Sequence, residues 1–237
     1  MDNSPLTSAR SLVQERFPDA IGALLAGSSV SGRATPNSDL DIAVLVNEPE
    51  PTRRETVRHH GQLAELFIHT RSGLAGLFAA DRAGRRASMQ FMYTEGRILF
   101  ELDGEATEAK TTAARDLRQG PAPLDEASVE TKRYHLTDTL DDLTDCRDDI
   151  ERLIVAATGL TLACDLLGNH HGAWIGTGKW LPRRAAAADP RRAAALFDGY
   201  QHLARTTDPD PLIIAVTDVL NLTGGAIREG YQRTWST

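Results

Sequence analysis

Two aspartates, Asp39 and Asp41, stand two positions apart where an apolar run begins in GSSVSGRATPNSDLDIAVLV (residues 27–46), and a Gly-Ser pair, Gly27-Ser28, opens the same stretch. Leu40, Ile42, Val44 and Val46 alternate with Asp39, Asp41, Ala43 and Leu45. This is the two-residue period of a strand, so both carboxylates project from one face, about 7 Å apart. Like charges held that close repel, and a cation between them is the usual remedy. Magnesium suits the position, because it takes oxygen ligands, commonly one or two carboxylates plus phosphate oxygens of a substrate, and rarely a full protein cage. The Gly27-Ser28 turn offers a triphosphate a backbone without a Cβ, so that N–H groups can approach, and a hydroxyl donor beside them. Gly32 and the Pro36-Asn37-Ser38 turn fold the intervening loop back so that its ends meet, which puts Ser38 with Gly27 and Ser28 among the expected nucleotide-binding residues.

Gly-Ser, a loop of about ten residues, then Asp-x-Asp entering an apolar strand resembles the signature of the DNA polymerase beta-like nucleotidyltransferase superfamily. An isolated Asp-x-Asp is common on surface turns, and Gly-Ser alone carries nothing; their order and the Ile-Ala-Val-Leu-Val strand behind them carry the resemblance. It implies that Asp39 and Asp41 bind two Mg²⁺ ions and that the Gly-Ser turn holds the triphosphate of ATP as co-substrate. With a helical second half, the chain looks most like bacterial small-molecule nucleotidyltransferases, particularly the aminoglycoside adenylyltransferases of the streptomycin-modifying type. The specific part of the match spans residues 20 to 70; between about Arg71 and Leu117 few residues correspond.

Such enzymes carry a third acidic residue on a neighbouring strand. In LAELFIHT, parity groups Glu65 with Phe67 and His69 against Leu66 and Ile68, so Glu65 points towards the aspartates if the strands are adjacent. The resemblance implies that Glu65 is the general base, or a ligand of the catalytic metal; the plainer alternative is an edge-strand carboxylate facing water. His69, at a strand end, is expected to be a hydrogen-bonded structural residue. Further on, HHGAWIGTGKWLPRR places Gly176, Gly178 and Lys179 between two helices, followed by Arg183 and Arg184. Related enzymes have a Gly/Lys turn here whose lysine reaches the nucleotide, and an ammonium is a good point-charge partner for phosphate. A solvated surface lysine is the alternative. His170 and His171 are neighbours without a matching pair, and zinc is not expected there.

The elements that position these residues fall into two grammars. SPLTSARSLVQERFPD reads as an amphipathic helix ended by Pro18, AIGALLAG as a buried strand, and DLDIAVLV and LAELFIHT as strands; residues from about 72 to 90 read as helical, and GRILFELDGEA as a strand ending at an Asp103-Gly104 turn. After GPAPL come long helical runs: Asp125 to about Thr144, Arg147 to Leu167, Asp189-Pro190 to about Arg205, and Pro211 to about Tyr231. Asp-Pro at Asp189 and Asp208 are helix starts. The expected fold is therefore α+β: a mixed-sheet nucleotidyltransferase domain over 1–120 and a helical substrate-binding domain over 121–237.

Composition sets the outer limits. With 237 residues, 41% hydrophobic and 25% charged, the chain is an ordinary globular protein. A net charge of −7 argues against nucleic acid as partner, since phosphate backbones are held by clustered Lys and Arg. Cys146 and Cys164 form no disulfide framework and are expected as free, partly or wholly buried thiols. No apolar run reaches the roughly 20 residues of a membrane span and the first residues lack a secretory layout, so a cytoplasmic monomer or homodimer is expected. From Asp125 to Glu151 there are ten acidic and three basic residues, and Asp138, Asp142, Asp145 and Asp149 share a helix face opposite Leu136, Leu140 and Leu143. Such stripes are commonly solvated; bordering a cleft, this one would attract an amine-rich acceptor. The expectation is transfer of a nucleoside monophosphate, AMP from ATP, to a hydroxyl of a small molecule with release of pyrophosphate. The alternatives are a protein-modifying nucleotidyltransferase of the antitoxin-like kind and a non-catalytic nucleotide-binding regulator.

Overall fold

The computed structural model describes residues 4–35 and 37–234. Pro36, expected in the loop-closing turn, lies outside the described residues. The chain divides into two compact units, Met1–Gly120 and Pro121–Thr237. The first is built on a sheet and the second on helices alone, an α+β architecture, as expected.

In the first unit the elements are α1 (Pro5–Arg16), β1 (Gly22–Ala26), α2 (Ser28–Ser31), β2 (Leu40–Leu45), β3 (Arg53–His59), β4 (Gln62–His69), α3 (Arg71–Ala83), α4 (Ser88–Glu95), β5 (Arg97–Glu101) and α5 (Glu105–Gln119). The five strands lie in the order β3-β4-β2-β1-β5. All neighbours are antiparallel except β2 and β4, which run parallel in the middle of the sheet. Strand parity sorts the side chains into two layers. Leu40, Ile42 and Val44 of β2 and Ala64, Leu66 and Ile68 of β4 pack on one face with Ala9, Leu12 and Val13 of α1. Ala43 and Leu45 pack on the other with Leu74 and Phe78 of α3, Tyr93 of α4, and Ala106 and Ala113 of α5. Burying Leu12 and Val13 is worth about 1.5–3 kcal/mol each, which docks α1 although its flanks are polar. Ser4 caps it, its side chain accepting from the Thr7 N–H, and Pro5 occupies the first turn.

Three elements here differ from the sequence expectation. RRETVRH forms edge strand β3, which carries charge on both faces, Arg53 and Glu55 on one and Arg54 and Arg58 on the other, and so shows no apolar alternation. The helical stretch expected over 72–90 is two helices, broken where Arg85 and Ala87 take positive φ of 61° and 55°. Residues 105–119, unread in the sequence, form α5, which buries only alanines and so has a faint apolar stripe.

The second unit contains α6 (Glu126–Asp145), α7 (Asp149–His170), a 3-10 turn at Gly178–Trp180, α8 (Leu181–Ala188), α9 (Pro190–Thr206) and α10 (Asp210–Leu222). One core joins Leu136 and Leu143 of α6, Leu160, Leu166 and Leu167 of α7, Leu196 and Leu203 of α9, and Leu212, Val216 and Val219 of α10. Asp189 caps α9 as expected, its side chain accepting from the Arg192 N–H. Asp208 does not cap: its carboxylate accepts from the Asp210 N–H and faces His202, and the helix starts at Asp210. The run expected to reach Tyr231 ends at Leu222, because Gly224 and Gly225 take φ of 114° and 86°. The alanine-rich RRAAAADP makes α8. The acidic stripe is shorter than expected: Asp138, Asp142 and Asp145 are exposed on α6, whereas Asp149 begins α7 and pairs with Arg152. Cys146 is half-buried and Cys164 buried, both free, and burial, with Asp165 beside it, pushes the Cys164 thiol up to about 12.

Candidate active site

The parallel pairing of β2 and β4 sets Asp41 directly beside Glu65. Asp39, one pleat earlier on the same face, completes a cluster in which one carboxylate oxygen from each of the three residues lies within 4.8 Å of the others. All three side chains are half-buried. Two consequences follow from the sheet: parity aims the carboxylates at the same side, and parallel register keeps them at the same height. Three converging carboxylates form an oxygen donor set that suits a hard divalent cation of the Mg²⁺ kind.

Gly27 closes this cluster from the next strand. Ala26 pairs with Asp41 across β1 and β2, so the chain turns away at Gly27 immediately beside that carboxylate. Its φ is 68°, and a Cβ there would stand 1.8 Å from Asp41 Oδ2. The residue must therefore be glycine on two independent grounds, conformation and space. Ser28 begins the single turn α2, held by the Val30 and Ser31 N–H groups donating to the Gly27 carbonyl at 3.3 and 3.2 Å. The leading N–H groups of such a turn have no partner within it and stand beside Asp41, next to Gly27. Ser38, immediately before Asp39, is engaged in the loop itself: its N–H donates to the Thr35 carbonyl at 2.9 Å and its Oγ accepts from the Thr35 N–H at 2.8 Å.

One participant was missed in the sequence. Arg54 of β3 forms an ion pair with Glu65 and lies 4.9 Å from the centre of the Phe67 ring, its register partner on β4. The guanidinium, 58% exposed, thus orients the glutamate and offsets part of its charge. The signal is hidden because the charges of β3 mask its strand period; its parity groups Arg54 with Thr56, the register partner of Glu65. His69 stays structural: Nδ1 meets the Tyr93 hydroxyl at 2.8 Å, and burial pushes its pKa down to about 4, so the ring is neutral.

Lys179 lies in the second unit, exposed in the 3-10 turn. The turn is tight: a Cβ at Gly176 would stand 2.4 Å from the Trp180 carbonyl oxygen. Arg183 and Arg184 lie over the Trp180 ring at 4.8 and 5.1 Å from its centre, so the segment presents stacked positive charge.

Residues 6–71, which hold every side chain of the carboxylate cluster, match the family model of the nucleotidyltransferase domain. Among solved structures, the chain is similar to a nucleotidyltransferase-like protein from Exiguobacterium sibiricum 255-15, at 14% identity and a TM-score of 0.48, over 92% of this chain and 74% of that one. No curated protein matches the sequence. The domain match supports nucleotidyl transfer as the general activity, with a nucleoside triphosphate as substrate. Among the described residues, no helix is long and apolar enough to cross a membrane.

Proposed function

We propose that the protein transfers a nucleoside monophosphate, AMP from ATP, to a hydroxyl of a small molecule and releases pyrophosphate. The observation that carries this reading is the convergence of Asp39, Asp41 and Glu65 beside a glycine whose missing Cβ makes room for the middle carboxylate. Asp39 and Asp41, with Glu65 at their side, would hold two Mg²⁺ ions, which when bound neutralise triphosphate charge and lower the acceptor hydroxyl's pKa. The backbone at Gly27 and the Ser28 hydroxyl position the triphosphate, with Ser38 setting the loop that returns to Asp39. Glu65 takes the proton from the acceptor hydroxyl, and Arg54 keeps its carboxylate in place until it does. The hydroxyl oxygen then bonds to the α-phosphorus in line, the bond to the bridging oxygen breaks, and pyrophosphate leaves with that electron pair. Positioning and charge neutralisation are the main catalytic contributions.

Acceptor binding is assigned to the helical unit, whose exposed Lys179 suits an anionic phosphate group. The exposed Asp138, Asp142 and Asp145 on α6 favour an amine-bearing acceptor of the aminoglycoside kind by field and by pairing. Incubation of the purified chain with Mg²⁺, labelled ATP and a panel of aminoglycosides and other hydroxylated amines tests the proposal. A labelled small molecule is the expected product. Label on protein in a lysate would instead identify a protein-modifying enzyme, and binding of ATP without transfer a regulator.

A further inference from the structure

By strand parity His59, the last residue of β3, shares the sheet face of Glu55 and Val57, the face covered by α1 and opposite the carboxylate cluster. There it meets Glu15, in the last turn of α1, and its own neighbour His60. One donor atom from each of Glu15, His59 and His60 lies within 4.8 Å of the others. His60 is held there by the hairpin: it and Gly61 take φ of 47° and 85°, the two-residue turn that matches strand twist, and Arg58 donates to the Gly61 carbonyl at 2.8 Å. The two imidazole rings are 4.0 Å apart between centres.

His59 is the unsatisfied member. It is only 7% exposed, and its Nε2 is buried without a hydrogen-bond partner. Its Nδ1 is 3.9 Å from Glu15 Oε2, too far for a hydrogen bond. The Ser11 hydroxyl donates to Glu15 Oε1 at 2.9 Å, which leaves Oε2 turned towards His59. The ring is thus buried without a hydrogen bond at Nε2, and its Nδ1, on the side of Glu15 Oε2, is the nitrogen that can take a ligand shared with that carboxylate.

We propose that Glu15, His59 and His60 bind a divalent transition-metal ion of the zinc class. Imidazole donors favour zinc, copper or nickel over magnesium, so this site and the all-carboxylate cluster discriminate by ligand softness. Two His and one Glu with an open fourth position is a known zinc donor set. Tetrahedral zinc wants donors roughly 3.3 Å apart; Glu15 and His60 are exposed and reach that spacing by rotamer change, while buried His59 stays fixed. The bound ion joins the C-terminal turn of α1 to the β3–β4 hairpin, whose other face carries Arg54 and Glu65.

The test uses the full chain carrying Asp39→Asn and Asp41→Asn, so that the carboxylate cluster does not compete for the probe. Equilibrium dialysis with Zn²⁺ and visible absorption with Co²⁺ are expected to give one tightly bound ion per chain with a tetrahedral cobalt spectrum. Glu15→Gln and His60→Ala, both at exposed positions, are each expected to weaken binding at least about tenfold, and Zn²⁺ should raise the melting temperature of the parent by more than that of either variant. Absence of stoichiometric binding, or binding that neither substitution weakens, overturns the proposal.

Discussion

Glu65 decides between two chemistries at the same position. As general base, Glu65→Gln keeps shape and the contact to Arg54 but loses the proton acceptor, so ATP·Mg²⁺ affinity stays within a few-fold while turnover falls by roughly 10²- to 10⁴-fold. A parallel loss of nucleotide affinity, read by equilibrium binding, would make it a metal ligand. Gly27 gives a sharper structural prediction. Gly27→Ala puts a methyl into Asp41 at positive φ, whereas Gly32→Ala, with φ of 70° and no atom within 4 Å, meets only the backbone penalty. Both should melt lower, but Gly27→Ala alone should abolish ATP binding. Asp39, Asp41 and Glu65 were legible in the sequence because strand parity reports direction without knowledge of the partner strand. Arg54 was not, because its meaning depends on which strand lies next to β4, and that is set by long-range pairing.

Among elements, those with a dense apolar period or a capping residue could be read from sequence, as β2, β4, α1 and α9 show. Edge strand β3 and alanine-lined α5 could not, since one carries charge on both faces and the other packs through methyl groups. The end of α10 at Leu222 is not visible in the sequence, which keeps hydrophobic and charged residues past Gly224-Gly225, where the backbone has already left the helix. The cap of α9 provides a pH test. Asp189 has its pKa held down to about 2 by the Arg192 N–H and side chain. A depressed carboxylate stabilises the fold above its unfolded pKa, near 3.8, and that contribution is lost as pH falls towards about 2. Asp189→Asn keeps a competent cap without the charge, so the difference in melting temperature between wild type and variant should shrink as pH falls between those values. A difference that stays constant down to pH 2 would mean the charge contributes nothing.

For the whole molecule, the shared site predicts linkage between metal and nucleotide. ATP and Mg²⁺ together should raise the melting temperature by more than the sum of their separate effects, because the triphosphate completes the ion's coordination. Asp39→Asn and Asp41→Asn should fold normally and show only additive shifts. Additive shifts in wild type would count against a common site. The division into sheet and helical units was visible in the sequence as the change from two-residue to helical periodicity after GPAPL. Residue order and spacing are specific in the first unit, where they point to a metal and a nucleotide; in the second, an acidic face and one exposed lysine are compatible with many ligands.

The edge position of β3 has a consequence for how the protein behaves at high concentration. An edge strand offers unpaired amides to any other chain, yet this one carries Arg53, Arg54, Glu55 and Arg58, with Glu55 tied to Arg16 and Arg53. A sixth strand from another copy would have to lie alongside that row of guanidinium groups, which deters sheet extension. Replacing Arg53 and Arg58 with Thr should leave the monomer folded but lower the concentration at which light scattering detects aggregates. The same strand that supplies Arg54 to Glu65 thus also discourages edge-to-edge pairing.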